Sequence, residues 1–131
     1  MDDKDKQILS ILANNSRLSW KAIGEKVFLT GQAVGVRVQQ LQDKGIISKF
    51  TTQIYYANYQ FITFYMNNHS FKEFEQMVCA YQQVLTLDKI TGDGCYFIQS
   101  CFDHDDLIKF IDEITPYARY KISYRLKSVK T

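Results

Sequence analysis

The stretch Thr30–Gly45, TGQAVGVRVQQLQDKG, constrains the fold more than any other part of the chain. Ala33, Val34, Val38 and Leu41 recur at one-sided helical spacing, and a stripe of that kind must dock on neighbouring helices. Thr30 offers an N-cap oxygen, and Gly45 stands where a left-handed residue ends a helix after Lys44. The opposite face carries Gly31, Gln32, Gly35, Val36, Gln39 and Gln40, without the Glu/Lys mixture of an ordinary solvated helix. Small and amide-bearing groups of this kind suit contact with base edges. Two helical glycines, each costing about 1 kcal/mol against alanine, imply a close approach to the backbone. A plain amphipathic core helix is the competing reading.

The residues upstream supply the docking partners. Asp2–Asn14 reads as a helix with Ile8, Ile11 and Leu12 on its apolar stripe and Asp2, Asp3 and Asp5 at its positive end. Asn14, Asn15 and Ser16 break that pattern, and Ser19 caps a second short helix, WKAIGEKV, with Trp20, Ile23 and Val27 inward. Phe28-Leu29 turns the chain into Thr30. This is the helix-turn-helix arrangement, whose second member lies in the major groove. Ile46–Phe50 alternates and is β-branched, so it is expected to form a strand or wing. Charge follows the same division. Residues 1–50 hold eight Lys/Arg against five Asp/Glu, and residues 51–131 hold eight against nine.

From residue 60 onward the pattern changes. A strand over 60–67 precedes Ser70-Phe71-Lys72-Glu73, a capping box opening a helix with Phe71, Phe74, Val78 and Tyr81 inward. A strand over 84–91 with Leu85 and Leu87 on one side, the turn Gly92-Asp93-Gly94 and a strand over 95–102 come next. Asp103–Asp106 caps a helix with Leu107, Phe110, Ile111 and Ile114 inward, Pro116 stops it, and a last strand is expected over 119–129. The order β-α-β-β-α-β is ferredoxin-like. Helices cover one face of such a sheet, leaving Phe61, Ile62, Phe64, Tyr96 and Ile98 to seek a partner on the other. Cys79, Cys95 and Cys101 make an odd count without C-x-x-C spacing, against both a disulfide framework and a zinc site. With no apolar run of signal or membrane-spanning length, a cytoplasmic protein is expected, with no membrane partner.

Together, Asn15-Ser16-Arg17-Leu18-Ser19, Arg37-Val38 with Leu41, and Gly45-Ile46-Ile47 resemble, in register, the N-terminal domain of the Lrp/AsnC (feast/famine) transcriptional regulators. Phe28 departs from the glycine that many members carry in the turn. Thr91-Gly92-Asp93 is similar to the turn of the family's effector-binding (RAM) domain, but Gly94 and Cys95 replace an aromatic residue and a second aspartate. The resemblance implies an α+β chain: a winged helix-turn-helix over 1–50, a hinge strand or linker over 51–59, and a ferredoxin-like RAM domain for effector binding and oligomerisation over 60–131. It also implies a sheet-on-sheet homodimer, with tetramers or octamers common in the family.

The function expected is sequence-specific regulation of transcription on double-stranded DNA, modulated by an amino acid or acting through DNA wrapping without an effector. Arg17, Arg37, Lys44 and Lys49 are candidates for phosphate contacts, and Gln32, Val36, Gln39 and Gln40 for the groove, where Gln pairs with adenine and Val meets a thymine methyl. Ser19 and Thr30, at the helix starts, complete the DNA-binding set. Thr91, Gly92, Asp93, Gly94 and Cys95 are the candidate effector residues, the exposed N–H groups and carboxylate of the turn suiting the two charges of an amino acid. Enzymatic signatures are missing: there is no phosphate loop, no G-x-S-x-G and no H-E-x-x-H. No catalytic residue, metal or cofactor is expected. The competing functions are a haem-pathway decarboxylase, which would need imidazoles around a porphyrin and has only two histidines available, and a stand-alone small-molecule sensor.

Overall fold

Three oxygen caps set the starts of the N-terminal helices. In the computed structural model, which describes residues 1–130, Asp2 accepts from the Asp5 N–H, Ser19 from Ala22 and Thr30 from Ala33. The helices are α1 (Asp3–Asn14), α2 (Trp20–Val27) and α3 (Gly31–Asp43). Ile8 and Leu12 of α1, Ile23 and Val27 of α2, and Val34 and Val38 of α3 close one core. These residues belong to the unit Met1–Gln53. Gly45, at φ +74°, ends α3, and the N–H groups of Ile46 and Ile47 both donate to the Leu41 carbonyl, at 2.9 and 3.1 Å. Ile46–Phe50 therefore forms no strand, and neither does the expected hinge strand over 51–59. The unit Met1–Gln53 holds no strand for Ile46–Phe50 to pair with, and a lone strand is not stable in water.

The second unit, Ile54–Thr131, contains β1 (Gln60–Met66), α4 (Phe71–Cys79), β2 (Val84–Lys89), β3 (Tyr96–Ser100), α5 (His104–Ile114) and β4 (Ala118–Tyr124). The antiparallel sheet has the order β2-β3-β1-β4. Both helices cover the same face. Under them Ile62 and Phe64 of β1 and Tyr96 and Ile98 of β3 are buried with Phe74, Val78, Phe110 and Ile114. Edge-on aromatic contacts knit this layer together, Phe64 to Phe74 at 5.2 Å and Tyr81 to Phe110 at 4.9 Å between ring centroids.

Strand alternation corrects the expected open face. Ile62, Phe64, Tyr96 and Ile98 are core residues, so the open face belongs to Phe61, Thr63, Tyr65, Phe97 and Gln99, their neighbours in the period-two pattern. Leu85 and Leu87 do not share a face as expected, because a bulge between Val84 and Thr86 shifts the register and leaves only Leu87 on the core. Ser70 makes no side-chain cap; its N–H instead donates to Asn68 Oδ1 at 2.9 Å. β4 stops at Tyr124, five residues short of the expectation, because β1 offers no pairing residue beyond Gln60. Leu126 is accordingly 97% exposed.

Phe28 ends α2 in the left-handed region, at φ 60° and ψ 45°, with 86% of its surface exposed. Lys4 donates to the neighbouring Val27 carbonyl, and its Nζ lies 5.5 Å from the Phe28 ring centre. A left-handed non-glycine residue costs about 1–2 kcal/mol, more than the roughly 0.5 kcal/mol of an exposed cation–ring contact. Phe28→Gly is therefore expected to stabilise the first unit by about 0.5–1 kcal/mol after glycine's larger unfolded-state entropy is counted. Thermal denaturation followed by circular dichroism checks this, and an unchanged or lower Tm would contradict it.

Candidate nucleic-acid interface and effector turn

The direction in which α3 presents its polar face is decided by contact with α2. A Cβ on Gly31 would lie 3.2 Å from the Lys21 backbone nitrogen, and one on Gly35 would lie 3.2 Å from Trp20 Cδ1. The close approach read from the two glycines is thus made by α2 of the same chain. Trp20, expected to be inward, keeps 40% of its surface exposed while its ring edge covers Gly35. With the glycines turned toward α2, the outward strip of α3 is Gln32, Val36, Gln39 and Gln40, all exposed, Val36 to 53%. The residues lie at i, i+4, i+7 and i+8, one face of a helix.

The other candidate positions divide by what already holds them. Ser19 and Thr30 spend their side-chain oxygens on caps, at 3.0 and 3.1 Å. Gln39 Nε2 donates to Asp43 Oδ1 at 3.0 Å, so its amide is partly engaged, whereas Gln32 and Gln40 are open. Arg17, Lys44 and Lys49 are exposed. Arg17 and Lys49 border one recess of about 570 Å³ with Asn15, Ser16, Thr51 and Thr52. Arg37 requires a correction. Its Nη1 pairs with Asp2 Oδ2 at 2.7 Å and with Asp5 Oδ1 at 3.2 Å, locking α3 to the start of α1. Hydrogen bonding from Arg37 holds the Asp2 carboxyl below the ordinary range, and the same bonds raise the guanidinium. Arg37 is therefore bound within the chain to two carboxylates beside Gln40 and Lys44, and is not a free phosphate-binding cation. Sequence spacing hid this, because the partners lie more than thirty residues upstream.

The expected effector turn is only partly free. Thr91, Gly92 and Asp93 are exposed, with Gly92 and Gly94 at φ +97° and +114°. Asp93 Oδ1 accepts from the Tyr65 hydroxyl at 3.0 Å, and the Cys95 N–H donates to the Phe64 carbonyl at 2.8 Å. Gly94 and Cys95 line a cavity of about 290 Å³ together with Phe71, Lys89, Ile90 and Tyr96. Lys89 Nζ sits 5.7 Å from the Phe71 ring centre and 3.4 Å from Glu75 Oε2. The Tyr96 hydroxyl donates to the same carboxylate; this bond holds Glu75 below its usual range, while burial, with help from Glu75, pushes the Tyr96 phenol up. Phe71, Lys89 and Tyr96 escaped sequence reasoning because they gather around Cys95 only when α4 packs on the β2–β3 pair.

The α2–α3 contact gives a direct check. Gly35→Leu is expected to displace Trp20, the one tryptophan of the chain, shifting its fluorescence emission and lowering Tm, the cost of overpacking being about 1–3 kcal/mol. An unchanged emission spectrum would show that nothing lies over Gly35.

The two units match two family models. The AsnC-type helix-turn-helix domain covers residues 1–42, and the Lrp/AsnC ligand binding domain covers residues 60–131. Among curated proteins, the transcriptional regulator LrpA of Bacillus subtilis is 34% identical over 94% of this chain and 96% of its own length. LrpB of the same organism is 28% identical over 99% of this chain and 91% of its own length. The structure of B. subtilis LrpC superimposes with a TM-score of 0.90 at 23% identity, covering 100% of this chain and 98% of that one. A Neisseria meningitidis transcriptional regulator solved as its L-Met complex gives 0.87 at 24% identity, covering 100% and 93%. Both structures share the fold, and the relatives are regulators, which sets the decarboxylase reading aside. With a helix-turn-helix at one end, a one-sided α+β sheet at the other and a family match to each, the chain belongs to the Lrp/AsnC family of DNA-binding transcriptional regulators.

Proposed function

We propose that α3 reads base edges in the major groove through Gln32, Val36 and Gln40, with Gln39 joining when it releases Asp43. The observation that carries this reading is the outward strip of amides and one aliphatic side chain, left exposed because both glycines of α3 turn toward α2. Two-pronged Gln–adenine bonds and a Val–thymine methyl contact favour A·T-rich sites. Arg17, Lys44 and Lys49 supply the phosphate contacts, and Ser19 and Thr30 lend the backbone N–H groups of the helix starts they cap. In this reading residues 1–50 are the DNA module, 51–59 the connector, and 60–131 the effector and assembly module.

The second module forms a homodimer, whose apolar driving force is the open face with Phe61, Tyr65 and Phe97. Higher assemblies build on that dimer. The effector is an amino acid at the turn Thr91–Cys95, a class supported by the L-Met complex of the Neisseria relative. Asp93 offers the acceptor for its ammonium group. Lys89, at the cavity next to Gly94 and Cys95, offers the charge for its carboxylate.

A salt-dependent titration of the purified protein with its own upstream DNA and a scrambled duplex tests the DNA reading, and a repeat with an amino-acid pool tests the effector. Lys44→Ala and Lys49→Ala are each expected to weaken binding to all sequences and to reduce the salt slope by about 1. Gln40→Ala is expected to lose preference for the native site with little change in slope. Equal binding to both duplexes by the unaltered protein would overturn the groove assignment. Identical curves with and without amino acids would leave DNA wrapping without an effector as the mode of action.

A further inference from the structure

Trp20 keeps 40% of its surface exposed although its ring edge already covers Gly35. An α-helix turns about 100° per residue, which places Gly35 about 60° round the axis of α3 from Gln32 and about 40° from Gln39. The indole therefore stands along the border of the outward strip, on the side of Gln32 and Gln39. The opposite border, beyond Gln40, belongs to Arg37 with Asp2 and Asp5. One border of the strip is aromatic, and the other holds carboxylates.

The neighbours of the ring decide what can cover it. Trp20 shares a recess with Ser16, Arg17, Phe50, Thr51 and Thr52, all within the first unit. The lining carries a guanidinium and three hydroxyls but no carboxylate, and Phe50 is itself 46% exposed. Arg17 also borders the recess that contains Lys49, so the cations continue away from the ring. Trp20 is the first residue of α2, at the helix end whose unpaired N–H groups attract a phosphate. Cations, hydroxyls and half-exposed rings suit a deoxyribose–phosphate strand, which alternates apolar sugar faces with anionic phosphates. A duplex that takes the outward strip into its major groove lays one such strand along each border of the strip. We propose that Trp20 is a DNA-contact residue. Its ring packs on the deoxyribose of the strand that borders the groove on the side of Gln32 and Gln39, and Arg17 holds the adjacent phosphate. This rests on the groove reading of α3 and adds to it an uncharged contact, a part of the affinity that neither reads sequence nor releases counterions.

Trp20 is the one tryptophan of the chain, so its own emission tests this. The full-length protein is quenched with acrylamide alone, with its own upstream duplex and with a scrambled duplex, at a salt concentration where both bind. Each duplex is expected to lower the quenching constant by about twofold or more, as the exposed part of the ring leaves water. Trp20→Phe keeps a ring against Gly35 and is expected to weaken binding to both duplexes by roughly fivefold, for the apolar area that the smaller ring no longer buries. Its salt slope is expected to match that of the unaltered protein, whereas Arg17→Ala is expected to lower the slope by about 1. A bound protein whose tryptophan stays as open to acrylamide as in the free chain would overturn the contact and leave the groove reading in place. Full affinity in Trp20→Phe would do the same. A lower salt slope in Trp20→Phe would show that the ring acts by positioning a cation, and would overturn the uncharged contact. Shielding by the native duplex alone would put the ring on a base and overturn the backbone assignment. A protein that binds neither duplex would overturn the groove reading itself, and this inference with it.

Discussion

The near-contact of α2 with α3 governs what the first unit can offer to DNA. Backbone meets backbone at Gly31 and an indole edge meets backbone at Gly35, so that a Cβ at either position would lie 3.2 Å from its neighbour and the neighbour would have to give way. The two glycines lose about 1 kcal/mol each in helix propensity, and the packing of Ile23, Val27, Val34 and Val38 offsets that loss. In exchange the rotation of α3 about its own axis is settled. Once the glycine edge is turned inward, Gln32, Val36 and Gln40 can only point away from the helical core.

The electrostatics of this unit follow from the same geometry. A helix whose N-terminus is rich in aspartate would repel DNA if that end lay bare next to the outward strip of α3. Arg37 lies against Asp2 and Asp5, and Asp2 already accepts the capping bond from Asp5. The pair is exposed, so its value to folding is small. Its consequence is local: Arg37 offsets one of the two carboxylate charges it touches beside the strip, and Lys44 stands exposed next to them.

In the second unit the governing constraint is that two helices cover only one side of a four-stranded sheet. The covered side is dense with aromatic contacts, and its one buried amide, Gln60, is satisfied by Phe102 and Ser100. The uncovered side holds Phe61, Tyr65 and Phe97, and the charged heads of Arg119, Lys121 and Arg125 lie over the Tyr65 and Phe61 rings. A face of this composition is half-satisfied in one chain.

Much of this was legible in residue order. Helix starts at Asp2, Ser19, Thr30 and Asp103, the C-terminal glycine at position 45, the β-α-β-β-α-β order and the family resemblance all rest on local chemistry, in which a residue acts on neighbours within four positions. Phe28 departs from the glycine that many members of the family carry, and its backbone is left-handed, the conformation that glycine adopts without strain. What the order of residues left open was every question whose answer lies on another element. Whether Gly35 faces DNA or Trp20, whether Arg37 meets a phosphate or Asp2, and which of Phe61 and Phe64 is core depend on packing and strand register. Ile46–Phe50 carries a strand pattern and still forms no strand, because a strand exists only when a second one supplies its hydrogen bonds. Local sequence thus determined the elements and their caps, and tertiary structure decided which faces are left to bind, since a face is free only when nothing from elsewhere in the chain has closed over it.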